Sequence, residues 1–247
     1  WEDTGVGDRQ RERASMLPLV LLGVLAAASG IAVGLLIDWF PTPASTQADR
    51  IDTLWDVLLI ASIPIFVLVQ ATVLYCVWRF RMRPGQELQD GPPIHGNTRL
   101  EVIWTLIPAI LILGLCTYAY FVLSDIEEAQ ANELQIGVVG QQFTWTFEYG
   151  SGDDRVRSSQ LYLPVGQPVR FSVRSEDVIH DFWVPAFRMK IDAVPGITTH
   201  YRITPKRRGR FPVVCAELCG LGHAYMRQTA HVVTRAEFER KLRELRA

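Results

Sequence analysis

Between Val214 and Met226 the chain reads Val-Cys-Ala-Glu-Leu-Cys-Gly-Leu-Gly-His-Ala-Tyr-Met, which puts two thiols, an imidazole and a thioether on one short loop: Cys215, Cys219, His223 and Met226. A second imidazole, His180, lies upstream in Val-Ile-His-Asp-Phe-Trp-Val-Pro. Thiolate, imidazole and thioether together make a soft, mixed donor set that suits copper better than any hard cation. Two Cys four residues apart in a loop can point both sulfurs into one pocket. A blue-copper site uses one thiolate, and this loop offers two; two thiolates can bridge two ions and leave one imidazole for each. Other readings of the same residues stand beside this one. In an oxidising compartment the Cys pair suits a disulfide, Cys₂His₂ suits tetrahedral zinc, and a lone Met more often serves packing. Met is a poor zinc ligand, however, and a disulfide explains neither His. Gly220 and Gly222 suggest backbone folded tightly around a bound object. Spacing favours copper and leaves zinc open.

The elements that position these residues follow from where the apolar side chains fall. The 247 residues carry 25 Lys and Arg against 26 Asp and Glu, for a net charge of -1; 49% are hydrophobic and 21% charged, and mean hydropathy is +0.12. That composition excludes a disordered chain and gives no bulk positive charge with which to bind nucleic acid. Four Cys are too few for a disulfide-dense scaffold. The apolar residues gather in three blocks without a charge, Met16 to Ile37, Val57 to Trp78 and Val102 to Leu123. Each is long enough for a hydrocarbon core, which takes about 20 residues at about 1.5 Å rise. Buried helices of a soluble core are the rival reading, but three such runs rarely fit a chain this small. Pro64 and Pro108 fall inside two of the blocks, which membrane helices tolerate. The first block resembles a signal peptide, with Arg9, Arg11 and Arg13 before it and small residues near Ala44, yet it exceeds the roughly 7–15 apolar residues of such a region. Three spanning helices are therefore predicted.

Flanking arginines orient them. Arg9, Arg11 and Arg13 precede the first block and Arg79, Arg81, Arg83 and Arg99 lie between the second and third, while only Arg50 stands between the first and second, beside Asp38, Asp49 and Asp52. This predicts a cytoplasmic N-terminus and second loop, with everything after Leu123 in the periplasm or its equivalent. The outer part alternates at period 2 in Gln142 to Tyr149 and Val169 to Arg174, with further short runs at 159–163, 178–184, 197–204, 209–215 and 227–233. Many short strands predict a β-sandwich or barrel. Thr234-Arg-Ala-Glu237 is a capping box that opens a C-terminal helix. The predicted fold is thus a membrane-anchored all-β protein: residues 1–53 with an extra helix, a transmembrane hairpin over 54–124, and an outer domain over 125–247.

The loop Cys-Ala-Glu-Leu-Cys-Gly-Leu-Gly-His-Ala-Tyr-Met resembles the copper-A loop of subunit II of haem–copper cytochrome c oxidases. The segment from Ser175 to Pro185 is similar to the one that supplies the family's other His, Lys190 to Gly196 to a segment near a subunit interface, and Leu100 to Pro108 to the second of the family's two usual spanning helices. Together these cover nearly everything from about residue 50 to 235. The resemblance implies a cupredoxin fold and a dinuclear, mixed-valence copper-A centre. Cys215 and Cys219 would bridge both ions, His180 and His223 would each hold one, and Met226 with the Glu217 carbonyl would be weak outer ligands. The Glu217 side chain would reach a magnesium ion shared with subunit I. The implied reaction is electron delivery from cytochrome c to the haems of subunit I, where oxygen is reduced and protons are pumped; other oxidase subunits and membrane lipid complete the surroundings.

Glu101 begins the last helix, where a carboxylate is ordinarily a solvated helix-start group; the resemblance gives it the mouth of a proton pathway into subunit I. The resemblance would place the aromatic port for electrons in Gly140-Gln-Gln-Phe-Thr-Trp145. Many relatives have Trp where this chain has Phe143, and Trp145 matches the second family Trp. Two apart on a predicted strand, Phe143 and Trp145 would share one face, and the residues leave the choice between them open. Glu176, Asp177 and Asp181 flank His180 and would steer a basic cytochrome. The helix over 16–37 departs from the usual two. Rival functions are a quinol oxidase subunit, which would lack the ligands present here, a copper-A subunit of a nitric-oxide or nitrous-oxide reductase-type complex, and a non-catalytic membrane protein with one copper or zinc.

Overall fold

The computed structural model describes residues 17–82, 84 and 95–246; Met16 and the arginines Arg9, Arg11, Arg13 and Arg83 of the charge argument lie outside the described residues. Three helices come first, α1 (Leu17–Leu36), α2 (Thr46–Phe80) and α3 (Thr98–Glu127). The second and third uncharged blocks are the middles of longer helices, because polar turns at the ends satisfy themselves. At the start of α3 the Asn97 side chain accepts the Leu100 N–H at 3.2 Å and the Glu101 carboxylate accepts the Asn97 N–H at 3.2 Å, which pairs donors that a helix start leaves orphaned. Pro64 and Pro108 lie within α2 and α3 without ending them. α2 and α3 are long and apolar enough to cross a membrane, whereas the described apolar part of the first helix, Val20–Leu36, is shorter. Length and composition thus establish two candidate spans where the sequence predicts three.

The chain divides into two compact units. One contains α1 and the greater part of α2. There a Cβ added to Gly30 would stand 2.9 Å from Ile63 Cγ2, and one on Gly34 would stand 2.6 Å from Leu59 Cδ2. The two helices therefore meet where the side chain is smallest, as small-residue spacing allows in lipid.

The other unit contains Asp38–Trp55 and everything from Asn97. Its β-domain is a sandwich of two five-stranded sheets. The strands are β1 (Leu134–Gln141), β2 (Thr144–Tyr149), β3 (Val156–Ser158), β4 (Leu161–Pro164), β5 (Val169–Ser175), β6 (His180–Val184), β7 (Met189–Ala193), β8 (Thr199–Ile203), β9 (Gly209–Cys215) and β10 (Arg227–Val233). One sheet runs β3-β2-β1-β5-β8 and the other β4-β10-β9-β6-β7. Both are mixed: β1 lies parallel to β5 and β4 parallel to β10, and the other pairs are antiparallel. Val169, Phe171, Val173 and Ser175 of β5 are buried while the residues between them are half-exposed, so the period-2 pattern faces the core. Phe147, Phe171 and Phe182 meet at its centre, with ring centroids 5.6–6.0 Å apart for the two pairs made by Phe182.

The predicted strand at Gln142–Tyr149 begins later, at Thr144, because Gln142 and Phe143 form the turn between β1 and β2. The capping box closes as predicted on α4 (Arg235–Arg246): Thr234 donates its N–H to Glu237 at 2.8 Å, and Thr234 Oγ1 accepts the Glu237 N–H at 3.3 Å. The start of α2 is sewn into the β-domain. Ala44 N–H donates to the Ala186 carbonyl at 2.8 Å, Ser45 Oγ to the Phe187 carbonyl at 3.0 Å, and Thr204 N–H to Gln47 Oε1 at 2.9 Å. Arg188, in the left-handed region at φ 56°, grips Asp52 with Nε at 2.7 Å and Nη2 at 2.8 Å. Its guanidinium lies 4.7 Å from the Phe40 ring centroid.

Candidate metal centre

β6 and β9 are antiparallel neighbours in register at Phe182 and Cys215, so the first residue of one strand and the last of the other share one end of the sheet. That end carries His180 and Cys215. The chain then loops out and returns into β10, and the loop is closed at its neck by Cys215 N–H donating to the Met226 carbonyl at 3.1 Å. Inside it, His223 N–H reaches the Gly220 carbonyl at 3.1 Å and Tyr225 N–H the Gly222 carbonyl at 2.9 Å. These short-range turns send Cys219, His223 and Met226 back toward the strand ends.

The donor atoms converge. His180, Cys215 and Cys219 are buried, with ligand atoms within 4.8 Å of one another, and form a possible metal site. Cys215 Sγ lies 3.9 Å from His180 Nδ1 and 3.9 Å from Cys219 Sγ, and both thiols are free. Cys219 Sγ in turn lies 3.7 Å from His223 Nδ1 and 3.8 Å from Met226 Sδ. The Glu217 carbonyl faces Cys215 Sγ at 3.3 Å while Glu217 itself is exposed. Two buried thiols, the buried His180, the half-buried His223 and a buried thioether at such spacing fit a soft ion such as copper. Burial first, and the Cys215 sulfur second, push the Cys219 thiol up to about 11; a metal that takes this sulfur as a thiolate ligand must therefore displace its proton.

His180 presents Nδ1 to the sulfurs because its other nitrogen is occupied: Nε2 lies 2.8 Å from Asp177 Oδ1. Burial works to raise the Asp177 pKa, but hydrogen bonds from the Gln142 N–H, His180 and the Val178 N–H outweigh it and hold the carboxyl at about 2. Asp181 is buried and pushed the other way, to about 6, by burial first and then by Asp192. The burial of Asp181 removes one of the three carboxylates expected to steer a donor. Asp181 is out of solvent, Asp177 is turned onto His180, and Glu176 alone of the three has a half-exposed carboxylate, paired with Arg174.

Phe143 and Trp145 do not share a strand face. Phe143 sits in the turn, 39% exposed, with its ring against Gly220 and Gly222 of the loop. Trp145 is fully buried in β2, its ring centroid 5.9 Å from that of His180. The turn also brings in a residue that no sequence signal marks: Gln142 donates its side-chain amide to the Cys219 carbonyl at 2.5 Å. Glu101 lies far along the chain from these donors, exposed in the first turn of α3.

Comparison with known proteins gives a consistent set of likenesses. The profile "Cytochrome C oxidase subunit II, transmembrane domain" matches residues 32–122, and "Cytochrome C oxidase subunit II, periplasmic domain" matches residues 152–233. Cytochrome c oxidase subunit 2 of Thermostichus vulcanus is 33% identical over 85% of this chain and 82% of its own length. The subunit 2 of a Synechocystis strain is 28% identical over 89% of this chain and 80% of its own length. Among solved structures, the periplasmic domain of subunit II of cytochrome oxidase of Bradyrhizobium japonicum aligns at 29% identity with a TM-score of 0.45, over 48% of this chain and 97% of that one.

Proposed function

Because the chain belongs to the cytochrome c oxidase subunit II family, we propose that it is the subunit through which electrons reach a haem–copper oxidase, by way of a dinuclear copper-A centre held between β9 and β10. The convergence of His180, Cys215 and Cys219 at the sheet end carries the reading. Cys215, Cys219, His180 and His223 would hold the two ions, with Met226 and the Glu217 carbonyl as weaker donors. The bound pair supplies one-electron transfer with the charge shared over two ions. The chain's own residues supply the rest. Asp177 fixes the His180 ring and leaves Nδ1 as its donor, while Trp145, Phe182 and Met226, all fully buried, keep water from that side.

The exposed Glu217 side chain is free to reach magnesium at the border with subunit I, which holds the haems. Cytochrome c is the donor, and Phe143, exposed against the metal loop, is the port that the geometry favours over Trp145. Glu101, which caps α3, stands at the mouth of a proton pathway. The chain lies in a bacterial cytoplasmic membrane with the β-domain outside; α1, packed on α2 through Gly30 and Gly34, is a third span with its N-terminus in the cytoplasm. In domain terms, residues 1–53 carry the extra helix, 54–124 the hairpin and 125–247 the copper domain.

Electron paramagnetic resonance of the copper-loaded protein tests the centre. A seven-line hyperfine pattern is expected, from one spin shared by two coppers. Four lines mean one copper, and silence with bound zinc overturns the reading. A companion subunit that reduces nitric or nitrous oxide would keep the centre and replace the reaction.

A further inference from the structure

The donor set comes from two separate pieces of chain, His180 at the head of β6 and the loop from Cys215 to Met226. The pairing of β6 with β9 and the Ala216 N–H donated to the Asp181 carbonyl at 3.0 Å fix the Cys215 end of the loop to the His180 piece; toward Cys219 the β1–β2 turn of the opposite sheet reaches across. Gln142 N–H donates to Asp177 Oδ2 at 2.7 Å, and the other oxygen of that carboxylate holds His180 Nε2 at 2.8 Å. The side-chain amide of the same residue donates to the Cys219 carbonyl at 2.5 Å. One residue thus grips the imidazole side through its backbone and the thiol side through its side chain. The loop is pressed against it: a Cβ on Gly220 would stand 2.9 Å from Gln142 Nε2, and a Cβ on Gly222 2.4 Å from Phe143 Cδ2. Gly220 also has φ +133°, a conformation that side chains rarely adopt.

We propose that Gln142 is a positioning residue for the metal centre, tying the His180 side of the donor set to the Cys219 side so that both keep their places when the ions change charge. The proposal rests on the copper reading above. Outer partners that orient metal ligands typically account for about 10–100-fold in metal affinity. Gln142 lies on the exposed turn, so about tenfold, the lower end of that range, is expected.

The test uses the full chain in its assembled complex, loaded with copper, with Gln142→Leu and Gln142→Glu. Both keep the backbone N–H to Asp177; the first removes the donor, and the second keeps the shape but offers an oxygen to the Cys219 carbonyl. Copper loss to a chelator should be about tenfold faster in both, and the copper hyperfine splittings should shift while two coppers remain. Release and splittings equal to those of the unsubstituted protein in both variants would overturn the proposal. So would a lowered unfolding temperature with unchanged splittings, which is what a mere turn contact would give. Failure of the copper reading appears separately, as an unsubstituted protein that binds one copper or none.

Discussion

Cys215 ends a strand and Cys219 sits on the returning loop, and each sulfur touches a different imidazole. On the proposed reading, replacing either thiol would remove a ligand that both ions need. Cys215→Ser or Cys219→Ser should abolish the dinuclear signal in copper titrations followed by paramagnetic resonance; two coppers and full activity in either would refute bridging. Met226 Sδ is a thioether beside Cys219 Sγ, a weak donor that tunes rather than holds, so Met226→Leu should keep both coppers and shift the reduction potential, measured by redox titration. The aromatic pair now separates by burial. Trp145→Ala empties a fully buried site and should cost roughly 3–5 kcal/mol in denaturant unfolding. Phe143→Ala should fold normally yet slow reduction by the donor in stopped-flow; unchanged rates would place the port elsewhere. The donors were legible because a thiol, imidazole and thioether so close in sequence have few other uses. Gln142 was not, because an amide that reaches a carbonyl 77 residues away leaves no local trace.

At the scale of elements, α2 and the β-domain are joined by chemistry that local pattern does not announce. Arg188 has a side chain only 5% exposed, and Asp52 is 29% exposed. Asp52→Ala would leave a buried guanidinium without its bidentate partner and should cost roughly 3 kcal/mol, the lower part of the range for broken buried pairs because Asp52 is partly solvated. A shift in thermal unfolding of the outer domain checks this. The period-2 runs found most of the strands, since a sheet with one buried face writes its alternation into the sequence. β1 escaped because Val138, Val139 and Gly140 are buried in succession, which breaks the alternation. β7, Met-Lys-Ile-Asp-Ala, alternates at period 2 but escaped because five residues are too few for the pattern to stand out. The capping box was legible because both partners lie within four residues, and Thr234→Ala should loosen α4 by about 1 kcal/mol, measured as faster amide exchange in its first turn.

The molecule as a whole is a membrane anchor carrying an extracytoplasmic β-domain; hydropathy marked the anchor and period-2 alternation the domain. Protease added to intact spheroplasts should digest the part after Leu123 and spare the loop at 79–100; cleavage of that loop instead would refute the proposed orientation. Sequence could not show that Ala44 to Asp52 belongs to the far domain, since its partners lie 136 to 157 residues downstream. That separation also sets an order of events on the ribosome. The first turns of α2 leave it long before Ala186, Phe187, Arg188 and Thr204 exist, so Asp52 and Gln47 cannot find their partners until most of the sandwich has been made. Closing so long a loop is slow and comes late. The seam that holds the domain to its helix therefore forms late, and a chain released before about residue 186 has an anchor and part of its strands but none of these partners to join them.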